Sequence, residues 1–307
     1  MTRRILKRML VSAAVFLAGA NAAVPAQAGE LDFFLGAQFN FRDINYNNRV
    51  FDVLVNLTPG AKWRFGDRWE VAAQALVPVV NQYGERYSHV RLNVASVSKQ
   101  FGFFGRWRMK VSAGWFAYER YGLDIKNMVV INDWLAMTAQ FGLTGYCSMA
   151  YGLEGSAPER ITAIAGPEFY LHKWNTQFSL RGGRFIYEDY GVVAEAMRHF
   201  KHVSVSVYAS YSNIGRENAG FRIVAMLPPY TRKKRKVNFR PASNFRLTYS
   251  MEADSYANYN YMTDPEENER EGWFDHDLIP WGPDSAFSDF KYVEPAPKAK
   301  KVKKCSD

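Results

Sequence analysis

Five histidines, His89, His172, His199, His202 and His276, are the side chains best placed to do chemistry near neutral pH. None has the spacing of a metal site. His199 and His202 stand three apart, which would suit one face of a helix, but they flank a hairpin turn within a strand pattern. The chain has no G-x-S-x-G nucleophile turn and no glycine-rich phosphate loop closing on a lysine. No catalytic residue, metal or cofactor is therefore expected, and the chain does not read as an enzyme.

What recurs instead is charge at alternate positions. Arg42, Glu70, Arg91, Arg106, Arg108, Lys110, Glu168, Arg181, Glu195, Arg222, Arg246 and Glu252 each stand among polar residues that alternate with apolar ones. On extended strands these twelve would share one face. If the strands close on themselves, that face lines a lumen, and its excess of arginine over glutamate makes a cationic wall that would attract anions. Tyr118, Tyr170 and Tyr208 would offer ring faces to sugars from the same wall. The competing expectation is a narrow interior filled by Arg–Glu pairs. A second cationic group, Arg232, Lys233, Lys234, Arg235 and Lys236, reads as a loop able to bind lipid phosphate or acidic polysaccharide.

The elements that would position these residues are strands. Val203, Val205, Val207, Ala209 and Tyr211 oppose Ser204, Ser206, Tyr208 and Ser210, and Thr176–Leu227 as a whole reads as four antiparallel strands with short connections. Similar runs begin at Leu31, Phe51, Trp69, Val90, Trp107, Ile161 and Ser243. Thr58-Pro59-Gly60 suggests a kink or bulge, Gly122–Asn127 a loop, and Val129–Tyr151 either one long strand or two short ones. The total is about twelve strands of roughly ten residues, the length a tilted strand needs to cross a bilayer.

The ends of the chain and its composition add a location. Arg3, Arg4, Lys7 and Arg8 precede an apolar run and Ala26-Gln27-Ala28, the pattern of a secretory signal peptide cleaved after Ala28. Aromatics make up 16% of residues, an excess suited to the belts of a membrane barrel. Clusters of Lys and Arg in the signal, one loop and the end of the tail lie behind the net charge of +9, and nucleic acid is not an expected partner. The organisation expected is a signal peptide over 1–28, a barrel over 29–253 and a tail over 254–307. The fold class is all-β, an antiparallel up-and-down transmembrane β-barrel with outer-membrane lipid around it, in the outer membrane of a Gram-negative bacterium. The tail, acidic with Trp273 and Trp281 and then Lys-rich, reads as mostly disordered. A secreted β-sandwich or lipocalin-like barrel would alternate too, but would hide its apolar face against a second sheet or a ligand.

Gly183-Arg184-Phe185-Ile186-Tyr187-Glu188-Asp189-Tyr190-Gly191, followed by Glu195-Ala196-Met197-Arg198-His199-Phe200, resembles the G-R-Y-L-x-x-D-x-G…E/D-x-S-R-x-F run of the YjbH-like exopolysaccharide proteins. Met109–Gly122 is similar to the R-V-S-A-G-Y-x-E-x-M-x-G segment of that family. The likeness covers Arg91–Pro228, and its motifs are structural. The chain departs at the family's F-D-N-G turn, where it has Phe200-Lys201-His202. The resemblance implies a short, single-barrel member in export or assembly of extracellular polysaccharide. Anionic polysaccharide and periplasmic polysaccharide-export proteins would be its partners. A structural or adhesive barrel, or a general small-solute porin, is the alternative.

Overall fold

Strict alternation drives a segment into a strand, because only the extended chain puts successive side chains on opposite faces. The computed structural model describes residues 29–43, 50–66, 68–104, 106–132, 134–149, 154–200, 203–214, 216–226, 236–242, 244–251 and 261–265, and most of them are strand. The strands are β1 (Glu30–Asp43), β2 (Phe51–Phe65), β3 (Trp69–Asn81), β4 (Arg91–Phe103), β5 (Trp107–Phe116), β6 (Arg120–Asn132) and β7 (Leu135–Ser148). After the two-residue bridge β8 (Glu154–Gly155) come β9 (Arg160–Leu171), β10 (Thr176–Arg184), β11 (Tyr190–His199), β12 (Val203–Ser212) and β13 (Arg216–Met226). The last are β14 (Val237–Pro241) and β15 (Asn244–Ser250). The four strands expected over Thr176–Leu227 are β10 to β13, antiparallel and joined by short turns.

Each strand pairs antiparallel with the next around the ring, β7 passing directly to β9. β14 and β15 lie end to end and together make one stave. Val237–Pro241 pairs with Leu31–Leu35, and Arg246–Ser250 with Gln38–Arg42, both parallel. The result is a closed mixed barrel of 13 strands. This corrects the expectation of about twelve strands, all antiparallel. In an up-and-down ring with an odd count, the first and last staves run the same way, so the seam must be parallel. The start of β1 and the end of β15 therefore lie at opposite mouths, named here the first and second mouth.

One local expectation also changes. Gly122–Asn127 is not a loop but the first half of β6, paired on both sides. β2 runs through Thr58-Pro59-Gly60 as one strand; its register against β3 shifts at Val55/Asn56, and pairing to β3 is missing at Thr58 and Pro59, where proline offers no N–H. The stretch Val129–Tyr151 holds the end of β6, a tight turn, and all of β7.

The barrel is polar inside and apolar outside. Along β12, Ser204, Ser206, Tyr208, Ser210 and Ser212 are at most 9% exposed, while Val205, Val207 and Tyr211 are 37%, 59% and 53% exposed. β2 repeats the inversion, with Asp52, Asn56, Thr58 and Lys62 buried and Phe51, Leu57 and Trp63 exposed. The residues that would form the core of a soluble protein face outward, so burial within the chain supplies little of the usual hydrophobic stabilisation. A sandwich or ligand-binding barrel that hides its apolar face does not describe this geometry.

Aromatics crowd the first mouth on the outer surface. Trp63, Phe65 and Trp69 stack around the β2–β3 turn, and Phe101, Phe103 and Trp107 around the β4–β5 turn. Trp134 stacks on Phe169 beside the β6–β7 turn, and Phe33 on Phe239 near the seam. Closure pairs the strand edges around the ring except beside β14, which among the described residues pairs only with β1.

Candidate functional site in the lumen

The lumen is the place where the sequence-derived candidates converge. Glu70, Lys110, Glu168, Arg181, Glu195, Arg222 and Arg246 are all buried on the inner wall. Arg42 is half-buried, bonded to Asp52 at 3.2 Å and lying over the Tyr83 ring at 4.2 Å. Burial pushes the Tyr83 phenol above its ordinary value, against the opposing charge of Arg42. Arg91 is half-buried over Tyr87 and donates to that residue's carbonyl at 3.2 Å. Arg108 is half-buried near Gly102. Arg106 is not on the wall: it lies exposed in the β4–β5 turn and donates to the Ile131 carbonyl at 3.2 Å. It precedes the first paired residue of β5, so the alternation that carries Arg108 and Lys110 inward does not fix it. Glu252 and Arg232–Arg235 lie outside the described residues, as does the segment 1–28 expected to be a signal peptide; Lys236 is exposed at the first mouth, its carbonyl accepting from Leu31 N.

The fully buried charges of the lumen are nearly balanced, while Arg42, Arg91 and Arg108 add half-buried cations to the wall. Among the described residues, Lys62, Lys110, Arg120, Lys126, Arg181, Arg222 and Arg246 are the buried cations, seven against the eight buried carboxylates Asp32, Asp52, Glu70, Asp124, Glu168, Asp189, Glu195 and Asp264. Charges in a narrow interior are tolerated when paired, and the pairs are present. Arg222 donates to both oxygens of Glu195 at 3.2 and 3.4 Å and lies over the Tyr208 ring at 5.0 Å. Tyr208 and Tyr170 are buried, whereas Tyr118 sits in the β5–β6 turn.

A polar chain crosses four strands. His199 Nδ1 is 2.9 Å from Ser204 Oγ, and His199 Nε2 is 3.3 Å from Gln177 Oε1. Gln177 Nε2 donates to Glu168 Oε2 at 3.1 Å. Read from the acceptor end, the carboxylate orients the amide, the amide accepts from Nε2, and Nδ1 accepts the serine hydroxyl. All four residues are buried, and each hydrogen bond ties neighbouring strands together.

The feature that alternation cannot reveal is a short segment inside the barrel. The chain leaves the sheet at Ser250, and residues 261–264 lie buried in the lumen. Tyr261 stacks on Phe116 at 5.4 Å and donates its hydroxyl to Asp124 Oδ1 at 2.7 Å, where Gln140 also donates at 2.8 Å. The Met262 carbonyl accepts from Ala117 N at 3.0 Å, and the Thr263 carbonyl from Ser96 Oγ at 2.6 Å. Asp264 closes the set. Lys62 Nζ is 2.7 Å from Oδ1 and 2.8 Å from Oδ2, and Lys110 Nζ is 3.4 Å from Oδ2. Glu70 stands behind both lysines at 3.8 and 4.0 Å.

The second mouth is tied to this segment. Tyr118 and Glu119 both have positive φ, 62° and 60°, a two-residue turn of the kind that glycine and asparagine favour. Such conformations cost about 1–3 kcal/mol each in other residues and persist where neighbours enforce them. Tyr118 packs on the clusters formed by Val94, Ala117 and Met262 and by Phe116, Ile186 and Tyr261. Glu119 accepts from Ser148 Oγ at 2.8 Å and pairs with Arg86.

These features define a closed β-barrel with an apolar exterior, a charge-paired lumen and a segment of its own chain bound inside. No family model, curated protein or solved structure matches the chain.

Proposed function

We propose that this chain is a non-enzymatic outer-membrane β-barrel of a Gram-negative bacterium that serves export or assembly of an anionic extracellular polysaccharide. The observation that carries the membrane reading is the inverted polarity of the wall: apolar staves with aromatic clusters at the first mouth match what a bilayer requires of strands that cross it. Lipid supplies the partner that the outward valines, leucines and phenylalanines lack within the chain. The polysaccharide reading draws on the YjbH-like motif over Gly183–Phe200 and on a lumen that already binds a carboxylate between two lysines. Periplasmic export proteins would be its partners.

A deletion strain tests the role. Loss of secreted acidic polysaccharide, restored by the gene in trans, is expected; unchanged secretion would remove the export reading. A structural or adhesive barrel is the second reading, favoured by the nearly balanced charge of the lumen and the segment lodged within it. A general small-solute porin is disfavoured by that same segment.

A further inference from the structure

We infer that Lys62 and Lys110 form a carboxylate-binding site on the lumen wall, that Asp264 is its resident ligand, and that a uronate group of an acidic glycan takes its place when the segment 261–264 moves out. This deepens the proposed function and rests on its reading of the lumen as the path of an anionic polymer.

The two lysines are buried, on β2 and β5, and converge on one carboxylate. Glu70 lies at the edge of ion-pair reach of both. With Asp264 present, Lys62, Lys110 and Arg64, which bonds Glu70 at 3.3 Å, face the carboxylates of Glu70 and Asp264. Without it, the same cations are left with one carboxylate fewer, which favours uptake of another anion. The site thus prefers to be filled, and a carboxylate from outside satisfies it as well as one from the chain.

The resident segment is held as a ligand is held. It adds no strand to the sheet, and its contacts are side-chain hydrogen bonds, a ring stack and single bonds to its carbonyls. The wall beneath it is shaped to receive it. A Cβ at Gly142 would overlap the Tyr261 hydroxyl, so that glycine leaves the space the tyrosine fills. Exchange of one carboxylate for another at Lys62 and Lys110 keeps the charge count of the lumen constant, which lowers the cost of release.

The test uses the full-length protein in planar bilayers. Gly142→Val evicts Tyr261 while leaving every wall charge in place, and Asp264→Asn removes the resident charge. Both are expected to conduct more than the parent and to pass chloride in preference to potassium. Polygalacturonate is expected to block them at concentrations about tenfold or more below neutral dextran of equal size, the effect of one charge-assisted contact. Adding Lys62→Gln and Lys110→Gln should erase both the anion preference and that difference. Open variants that prefer potassium, or that dextran blocks equally well, would overturn the inference. A second measurement covers variants that do not fold: with Cys305→Ser, a cysteine at Thr263→Cys should react about tenfold faster with a water-soluble maleimide when polygalacturonate is added, and an unchanged rate would count against the site. Anion preference and block in vitro, together with unchanged secretion in the deletion strain, would uphold the site and remove only the export reading.

Discussion

Val207 sits at the middle of β12 on the outer wall, 59% exposed, between Ala196 of β11 and Phe221 of β13. Tyr211 lies on the same face four residues on, close to the second mouth, and is 53% exposed. In water, charging either position would shift stability by no more than about 0.5 kcal/mol, as for most surface changes. In a bilayer the two positions differ. Arginine near the midplane of a membrane barrel costs about 2–4 kcal/mol, and near the interface about 0–1 kcal/mol. Val207→Arg should therefore be about 2–3 kcal/mol worse than Tyr211→Arg, each measured against alanine at the same site, a difference of roughly 30- to 160-fold in the folding equilibrium. Urea titration of the refolded protein in lipid vesicles, read by intrinsic fluorescence, measures it. Equal costs at the two depths, within about 0.5 kcal/mol, would refute the assignment of lipid to the outer wall.

Two further outcomes concern the wall itself. Glu195→Ala or Arg222→Ala removes the ion-pair partner of a buried charge, and each should cost about 3–5 kcal/mol in the same titration. The double variant should cost clearly less than the two together, and strict additivity would show that the pair is not coupled. Gly183 has φ of 148°, and a Cβ there would run into the Ala163 carbonyl; Gly183→Ala should destabilise by more than about 1 kcal/mol, and a neutral result would contradict the backbone described.

The walls of the barrel were legible in the sequence because a polar lumen opposed to an apolar exterior produces the strongest period-two signal a chain can carry. Glu195 and Arg222 could be assigned to one face before any partner was known, and they meet. The same logic was not carried through Gly122–Asn127, read as a loop although Asp124 and Lys126 keep the period of two. In a barrel of this kind a polar residue at every second position is the mark of a strand, and both side chains point inward. The expectation of a cationic wall came from following arginines while passing over Asp32, Asp52 and Asp124, which share the inward parity. Asp264 was out of reach for another reason. It lies 202 residues from Lys62 in sequence, in a segment with no period, among acids that composition assigns to solvent. Local pattern carries no information about a contact made by threading. The thirteenth stave was obscured at β6: with Gly122–Asn127 read as a loop, Val129–Tyr151 offers one strand or two, and β6 and β7 share it. β14, which completes the last stave end to end with β15, is only five residues long and ends in proline.

That last stave has a consequence for how the barrel comes into being. Its partner in the ring is β1, so the first and last strands to leave the ribosome are the ones that must find each other, across more than two hundred residues. Until they meet, the growing sheet has two unprotected edges, and contacts of such long range form late. The seam is also the one parallel junction, slightly weaker per residue than the antiparallel ones, and it is broken in two where β14 gives way to β15. A cylinder that closes last at this line will part first along it. Any machinery that inserts the barrel, or any force that opens its side, will therefore act where the first and last staves run side by side.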